Sequence, residues 1–334
     1  IPKITIGGAE LLVGKTTIGD LKEQGFAIES YEMIDSLEKG KTKTPSKPEH
    51  TVDDFVEALG GTYDIYKDKG DIEGIAIDLP GQIDVDNGIV YGGGALRYMH
   101  KIPLQKLMEE RCGGHKVSLE NDAKAAALAE VWKGNAKDVQ DSCVLIFGTG
   151  IGGAVIKDRH VHRGKHLLAG EVSFAIDEMT FSDVEKIVPI EGMDITQAMD
   201  EVPYFWAAHG ATAAMCHKLA KKKGLTDDEV SGELVYKWAD EGDEDSIDAL
   251  ERMYYSIAKN CLNLYVVFDP EVILIGGGIS AEPRFVEGIK RYVDRIKHIT
   301  LVYDEIKIDT CKFLNDSNLL GALYNFKQKY EGVS

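Results

Sequence analysis

The sequence lacks a basic excess. Its 334 residues carry 38 Lys and Arg against 56 Asp and Glu, a formal net charge of −18. With no spare positive charge to neutralise phosphates, a nucleic-acid partner is not expected. ATP is not excluded, because a local loop and a metal ion handle its charge. The sequence also lacks any apolar run near the roughly 18 residues of a membrane helix, and no signal peptide is read, so no membrane partner is expected. Cysteine is scarce and scattered. Cys112, Cys143, Cys216, Cys261 and Cys311 form no pair with zinc-site spacing, and their odd number argues against a disulfide framework, which points to a reducing cytoplasm. The remainder is ordinary for a globular protein, at 44% hydrophobic and 28% charged residues, and long enough for one large domain or two moderate ones.

Lys3–Ile6 reads as a short strand running into Gly7-Gly8, and Glu38–His50 as a loop. Val52, Phe55, Val56, Leu59, Tyr63 and Tyr66 recur on one helical face, predicting a helix over 52–69. Gly74–Leu79 is a strand stopped by Pro80-Gly81, Leu104–Arg111 a short helix, and Val117–Leu119 a strand that delivers Glu120-Asn121-Asp122 to its carboxyl end. A helix follows over Asp122–Trp132, with Asn121 or Asp122 as its N-cap and Gly134 as its stop. Val144–Phe147 and Ala154–Ile156 read as a hairpin around Gly148–Gly153, and Glu271–Ile275 as a buried strand before Gly276–Ser280. Residues 204–223, 246–267 and 316–329 read as helices, and Ile306–Ile308 as a late strand. Strands alternating with helices make this an α/β protein. Its two strand-to-glycine turns suggest strand ends converging on one ligand cleft.

Three features suit phosphoryl transfer to a hydroxyl. That reaction needs a carboxylate to take the hydroxyl proton as the phosphorus–oxygen bond forms. Asp122, at a strand end leading into a helix, is rigidly mounted for this, although a plain N-cap aspartate has the same sequence pattern. Gly148-Thr149-Gly150-Ile151-Gly152-Gly153 lets backbone N–H groups approach a phosphate, as tight hairpins also do. Glu171 follows Ala169-Gly170 and suits either sugar hydroxyls or a surface hairpin. Asp78, Asp84 and Asp86 surround Pro80-Gly81, and acidic turns account for Asp84 and Asp86. His160, His162 and His166 read as solvated hairpin residues rather than metal ligands, and Trp206 with His209 as core helix.

Together these segments resemble the ROK family of sugar kinases and related repressors, from about residue 72 to 325. Leu79-Pro80-Gly81 with Asp84 and Gly88-Ile-Val90 is similar to the family's sugar-side loop, and Glu120–Glu130 to its catalytic segment. Gly148–Gly153 is similar to its second phosphate loop, and Asp269–Ser280 to its adenosine segment. The resemblance implies a two-domain actin-like ATPase (ribonuclease H-like) α/β fold with a ligand cleft between the domains. It divides the chain into a smaller domain of residues 1–119 plus helix 316–334, and a larger one of residues 120–315. It implies Asp122 as catalytic base, with Gly81, Asn121, Asp122 and Glu171 around the sugar. Gly7, Gly8, Thr149, Gly150 and Gly152 would hold phosphates, and Gly277 and Gly278 the adenosine. ATP and Mg2+ are the implied cofactors, and a cytoplasmic homodimer the implied assembly.

The chain departs from the family pattern in three places. The zinc cysteines are missing, since no cysteine lies between Phe174 and Met215, so no structural zinc and no protein-held metal is expected. The usual Glu-x-Gly-His reads Glu171-Val172-Ser173-Phe174, which removes a hydrogen bond to the sugar and admits glycosides. The usual Asp-x-Gly-Gly-Thr is matched locally by Thr5-Ile6-Gly7-Gly8-Ala9, without the aspartate or the threonine. The expectation is a glucokinase-like hexose kinase. A β-glucoside or N-acetylhexosamine kinase is the alternative, as is a sugar-binding pseudokinase with a degraded first phosphate motif. A repressor would need a DNA-binding domain before the first strand. A Rossmann dehydrogenase would need an acid on a second strand after the glycine turn.

Overall fold

The computed structural model describes residues 9–11, 45, 49–94, 96–185, 187, 203–313 and 317–333. The strand expected at Lys3–Ile6, together with Gly7 and Gly8, lies outside these residues, as does most of the loop expected at 38–50. The chain forms two units, Ile1–Trp132 with Asn315–Ser334, and Lys133–Leu314.

The first unit is built on parallel strands in the order β1-β2-β5, with β1 Ala9–Leu11, β2 Ile72–Leu79 and β5 Lys116–Asn121. Helix α1, Val52–Tyr66, starts at a capping box in which Thr51 and Asp54 satisfy each other's backbone N–H. The hairpin β3–β4, Gln82–Asp84 with Ile89–Gly92, and helix α2, Leu104–Arg111, come between β2 and β5. Strand alternation sorts the sheet's two faces. Ile75, Ile77, Leu79, Val117 and Leu119 point into a core shared with Phe55, Val90, Leu104 and Met108. Ala76, on the opposite face, packs against Ala322 and Phe326 of the C-terminal helix Ser317–Glu331.

Helix α3, Asp122–Lys133, packs with that C-terminal helix. A Cβ on Gly321 would sit 1.6 Å from the Ala125 carbonyl oxygen, so only glycine allows this approach. The Trp132 ring stacks on Tyr324 with centroids 5.2 Å apart. These contacts lie within the first compact unit, which runs through Trp132.

The second unit has a five-stranded sheet, β10-β9-β6-β7-β8. Strands β6 Ser142–Phe147, β9 Val272–Gly276 and β10 Ile308–Thr310 run parallel; β7 Ile151–Lys157 and β8 His160–His162 add an antiparallel edge. Four helices cover it: α4 Thr212–Lys223, α5 Gly232–Asp240, α6 Glu244–Phe268 and α7 Pro283–Ile296. The helix expected over 204–223 is broken. Ala211 turns extended (ψ 143°) between a short helix, Ala207–Gly210, and α4. The lysine run of α4 ends at Gly224, whose φ of +70° forms the left-handed cap. All five cysteines are free and buried. Among the described residues no helix is long and apolar enough to cross a membrane.

Candidate active site

The junction of β5 and α3 is tied down atom by atom. Asn121 is the N-cap, its Oδ1 accepting from the Lys124 N–H at 3.1 Å. Its amide nitrogen donates to the Gly81 carbonyl at 3.1 Å and to Asp122 Oδ1 at 3.0 Å. Asp122 Oδ1 also accepts the Ala123 N–H at 2.8 Å. One carboxylate oxygen is therefore fixed by two donors, and no other residue among the described ones donates to Oδ2. Burial raises the proton affinity of Asp122; the Ala123 N–H and the nearby Lys124 charge partly oppose this. A fixed, partly desolvated carboxylate with one open oxygen is suited to taking a proton.

Gly81 contributes through its backbone. Its φ is +106°, and a Cβ there would lie 1.8 Å from the Gly92 carbonyl oxygen. The glycine lets the chain turn out of β2 against the end of β4. Its carbonyl then braces Asn121, which in turn holds Asp122. The first unit thus brings Gly81, Asn121 and Asp122 together.

In the second unit, β6 and β9 are parallel neighbours with Ile146 opposite Gly276. Both glycine turns therefore leave the sheet side by side at the same end. Gly277 makes this possible: its φ is +96°, and a Cβ would meet the Phe147 carbonyl oxygen at 2.1 Å. A Cβ on Gly148 or Gly278 would meet nothing within 4 Å, so the backbone there faces open space. Thr149 is exposed at the turn's tip, and Gly150 and Gly152 are half-buried beside it. This bare backbone with room above it fits a phosphate-bearing ligand.

Sequence reading did not single out Ser173. Its hydroxyl accepts the Ile151 N–H at 3.0 Å and donates to the Ile151 carbonyl at 2.7 Å. It thus acts as a one-residue strand partner where β7 leaves the glycine turn. Gly153 and Gly170 approach backbone to backbone alongside, where a Cβ on Gly153 would lie 2.4 Å from the Gly170 carbonyl oxygen. The half-buried Glu171 sits on this loop. Phe174 packs edge-on against Phe205, centroids 5.8 Å apart.

His160 and His162 are exposed on β8. A different trio, Asp177, Glu178 and His209, brings its potential ligand atoms within 4.8 Å of one another. Asp177 in this trio already binds Lys259 at 2.8 Å, Asn260 at 2.6 Å and Ser256 at 3.0 Å. A metal ion there would have to compete with an ammonium group. The trio was invisible in the sequence because His209 lies far along the chain from the acids.

The sequence model of the ROK family matches residues 25–178 and 207–329. The chain belongs to the ROK family. The match starts at residue 25, beyond Thr5–Ala9. Among curated relatives, a beta-glucoside kinase of Klebsiella pneumoniae is 31% identical over 258 residues, covering 77% of this chain and 79% of that protein. A glucokinase of Thermotoga maritima is 24% identical over 338 residues, covering 99% of this chain and 100% of that protein. The crystal structure of a ROK family protein from Streptococcus pneumoniae in complex with sucrose aligns with a TM-score of 0.68 and 29% identity, covering 86% of this chain and 89% of that one. The fold is accordingly that of the ROK sugar kinases, the actin-like ATPase fold.

Proposed function

We propose that this ROK protein transfers the γ-phosphoryl group of ATP to a hydroxyl of a glucose-type sugar, with Asp122 as the base and β-glucosides as the favoured substrate class. The observation that carries this is the Asp122 carboxylate, with one oxygen fixed by Asn121 and Ala123 and the other open. As the sugar oxygen attacks phosphorus, its proton passes to Asp122 Oδ2; burial makes that oxygen a stronger base. Thr149, Gly150 and Gly152 hold the phosphates through the turn, and Gly277 and Gly278 give adenosine a flat backbone surface. Gly7 and Gly8 would complete the phosphate contacts and Glu171 those to the sugar. Mg2+ arrives with ATP and offsets the charge of its phosphates.

The preference for β-glucosides over free glucose rests on Phe174. The family's histidine is replaced by a ring paired with Phe205, an apolar surface suited to an aglycone rather than to a bare anomeric hydroxyl. The Klebsiella relative is named for β-glucosides, and the Streptococcus structure holds a disaccharide. Free hexoses and N-acetylhexosamines are the alternatives. The working state is a homodimer in the cytoplasm, and the five free cysteines agree with a reducing compartment.

A coupled ADP-release assay with Mg2+ over hexoses, N-acetylhexosamines and β-glucosides tests the proposal. The expected result is sugar-dependent turnover, with kcat/KM highest for a β-glucoside. Sugar binding without turnover would instead assign a pseudokinase, the reading that Thr5 and Ala9 favour.

Two further outcomes are expected. Ser173→Ala leaves the N–H and carbonyl of buried Ile151 unpartnered. It should cost about 2 kcal/mol of stability in urea unfolding and raise the nucleotide KM several-fold. An unchanged nucleotide KM would mean that the turn does not depend on this brace. Elemental analysis of the purified protein should find no stoichiometric zinc, and one zinc per chain would overturn the reading of the missing cysteines.

A further inference from the structure

The second half of α6 turns an apolar side to solvent that the proposed chemistry does not use. Five of the nine residues from Glu244 to Arg252 are charged, but from Met253 to Phe268 only Lys259 is. Met253, Ile257, Cys261 and Tyr265 belong to the core, so helical spacing sends Tyr255, Lys259, Asn263 and Val266 to the opposite side. Lys259 adds little charge there. Its ammonium group binds the fully buried carboxylate of Asp177 at 2.8 Å and lies 5.7 Å from the centre of the Tyr255 ring.

The connection after α7 extends this face. Tyr292 of α7 packs edge-on against Tyr255, centroids 5.8 Å apart. Beyond the end of α6, the Lys307 carbonyl accepts the Ile273 N–H. Residues 297–306 therefore run beside the second half of α6, and the turn Leu301–Tyr303 packs directly on that helix. Tyr303 and Ile306 point inward, against the core. Ile299, Leu301 and Val302 point outward and are 74%, 84% and 60% exposed. Val267 of α6 is 71% exposed, and Tyr255 and Val266 are half-exposed.

At about 100 Å² for a fully exposed side chain, these six present roughly 400 Å² of apolar surface. Monomers rarely leave more than a few hundred Å² of contiguous apolar surface in water. A stable homodimer covers about 800 Å² per copy, about 65% of it apolar, and this face supplies most of that apolar share. Charge also favours a second copy. Each copy carries a net charge of −18, so two copies repel except where they meet on neutral surface. A basic partner drawn by the chain's acidity would dock on its acids and not here. A straight helical stripe, moreover, is self-complementary when it crosses its own copy about a two-fold axis.

We propose that two copies of this chain associate through the second half of α6 and the 299–302 segment, helix against helix about a two-fold axis. The inference rests on the homodimer reading and gives it a surface. Sedimentation velocity on the wild type, Leu301→Asp, Val267→Asp and Ile247→Asp tests it. The wild type should run as a dimer. Each face substitution enters twice across the axis and buries a carboxylate against its own copy. The dimer dissociation constant should therefore rise by about 10³-fold, giving monomers whose circular dichroism is unchanged. Ile247→Asp adds the same charge to the first half of α6 and should remain dimeric.

A monomeric wild type would overturn both this surface and the homodimer reading. If that monomer also sedimented with phosphatidylcholine vesicles, the face would belong to a lipid surface. A dimer that survives both Leu301→Asp and Val267→Asp would keep the homodimer and overturn this surface alone. Dissociation by Ile247→Asp to the same extent would likewise overturn it, because added charge anywhere on the helix would then suffice.

Discussion

Asp122→Asn should lower kcat by about 10²- to 10⁴-fold while sugar affinity stays within a few-fold. The substitution keeps the side chain's size and an oxygen at the Oδ1 position, so the bonds from Asn121 and Ala123 survive. What it removes is the open Oδ2, replaced by an NH2 group that cannot take a proton. The loss should therefore fall on the chemical step rather than on binding. Isothermal titration with the sugar and steady-state kinetics on the same preparation measure the two halves. A kcat within three-fold of wild type would take Asp122 out of the base role. Sugar binding lost along with kcat would mean that the charge of Asp122 holds the substrate rather than activating it. Folding is not expected to suffer: burial penalises the carboxylate's charge, and the neutral amide escapes that penalty.

That Asp122 stands out in the chain as a candidate base follows partly from local chemistry and partly from the family resemblance. A strand, an Asn-Asp pair and an alanine-rich run specify a cap and a helix within a dozen residues, and the helix forms over Asp122–Lys133 as that pattern dictates. The helices 52–66 and 104–111 were equally legible, as were the strands around both glycine turns, because each carries its periodicity within its own segment. Helix α7 was not read. Six of its fourteen residues are charged and Gly288 interrupts it, so it looks like a broken surface stretch. The glycine is there because Tyr254 of α6 lies where a Cβ would be, 2.5 Å away. A tertiary contact wrote a residue that local rules count as a breaker. The break at Ala211 has a similar origin, since Gly210 sits against the buried Trp206 indole. The role of Ser173 was out of reach for the same reason. Ser173 gains its meaning from Ile151, 22 residues away. The chain order of motifs therefore points to the candidate base and the glycine turns, while a group that braces them, such as Ser173, becomes visible only once strands pair.

Gly81→Ala should be the most damaging single methyl group on the sugar side. Two penalties combine at this position. A positive φ costs an alanine roughly 1 kcal/mol, and the new Cβ, 1.8 Å from the Gly92 carbonyl oxygen, must displace backbone rather than a flexible side chain. Together they should destabilise the first unit by roughly 3 kcal/mol or more. The movement has a defined route to the chemistry, because the Gly81 carbonyl accepts from Asn121, and Asn121 orients Asp122. A shift of a fraction of an ångström there should raise the sugar KM and lower kcat, reducing kcat/KM by about 10²-fold, while nucleotide affinity stays unchanged. Gly114→Ala is the control. Its φ of +84° imposes a similar backbone penalty, but a Cβ there meets nothing within 4 Å, so it should cost roughly 1 kcal/mol and leave the kinetics alone. Urea unfolding and full kinetics on both variants separate strain from clash. If the two variants behave alike, the Gly81–Gly92 contact does not hold the sugar-side loop. If Gly81→Ala loses stability with kcat/KM intact, the brace from Gly81 through Asn121 to Asp122 has no part in catalysis.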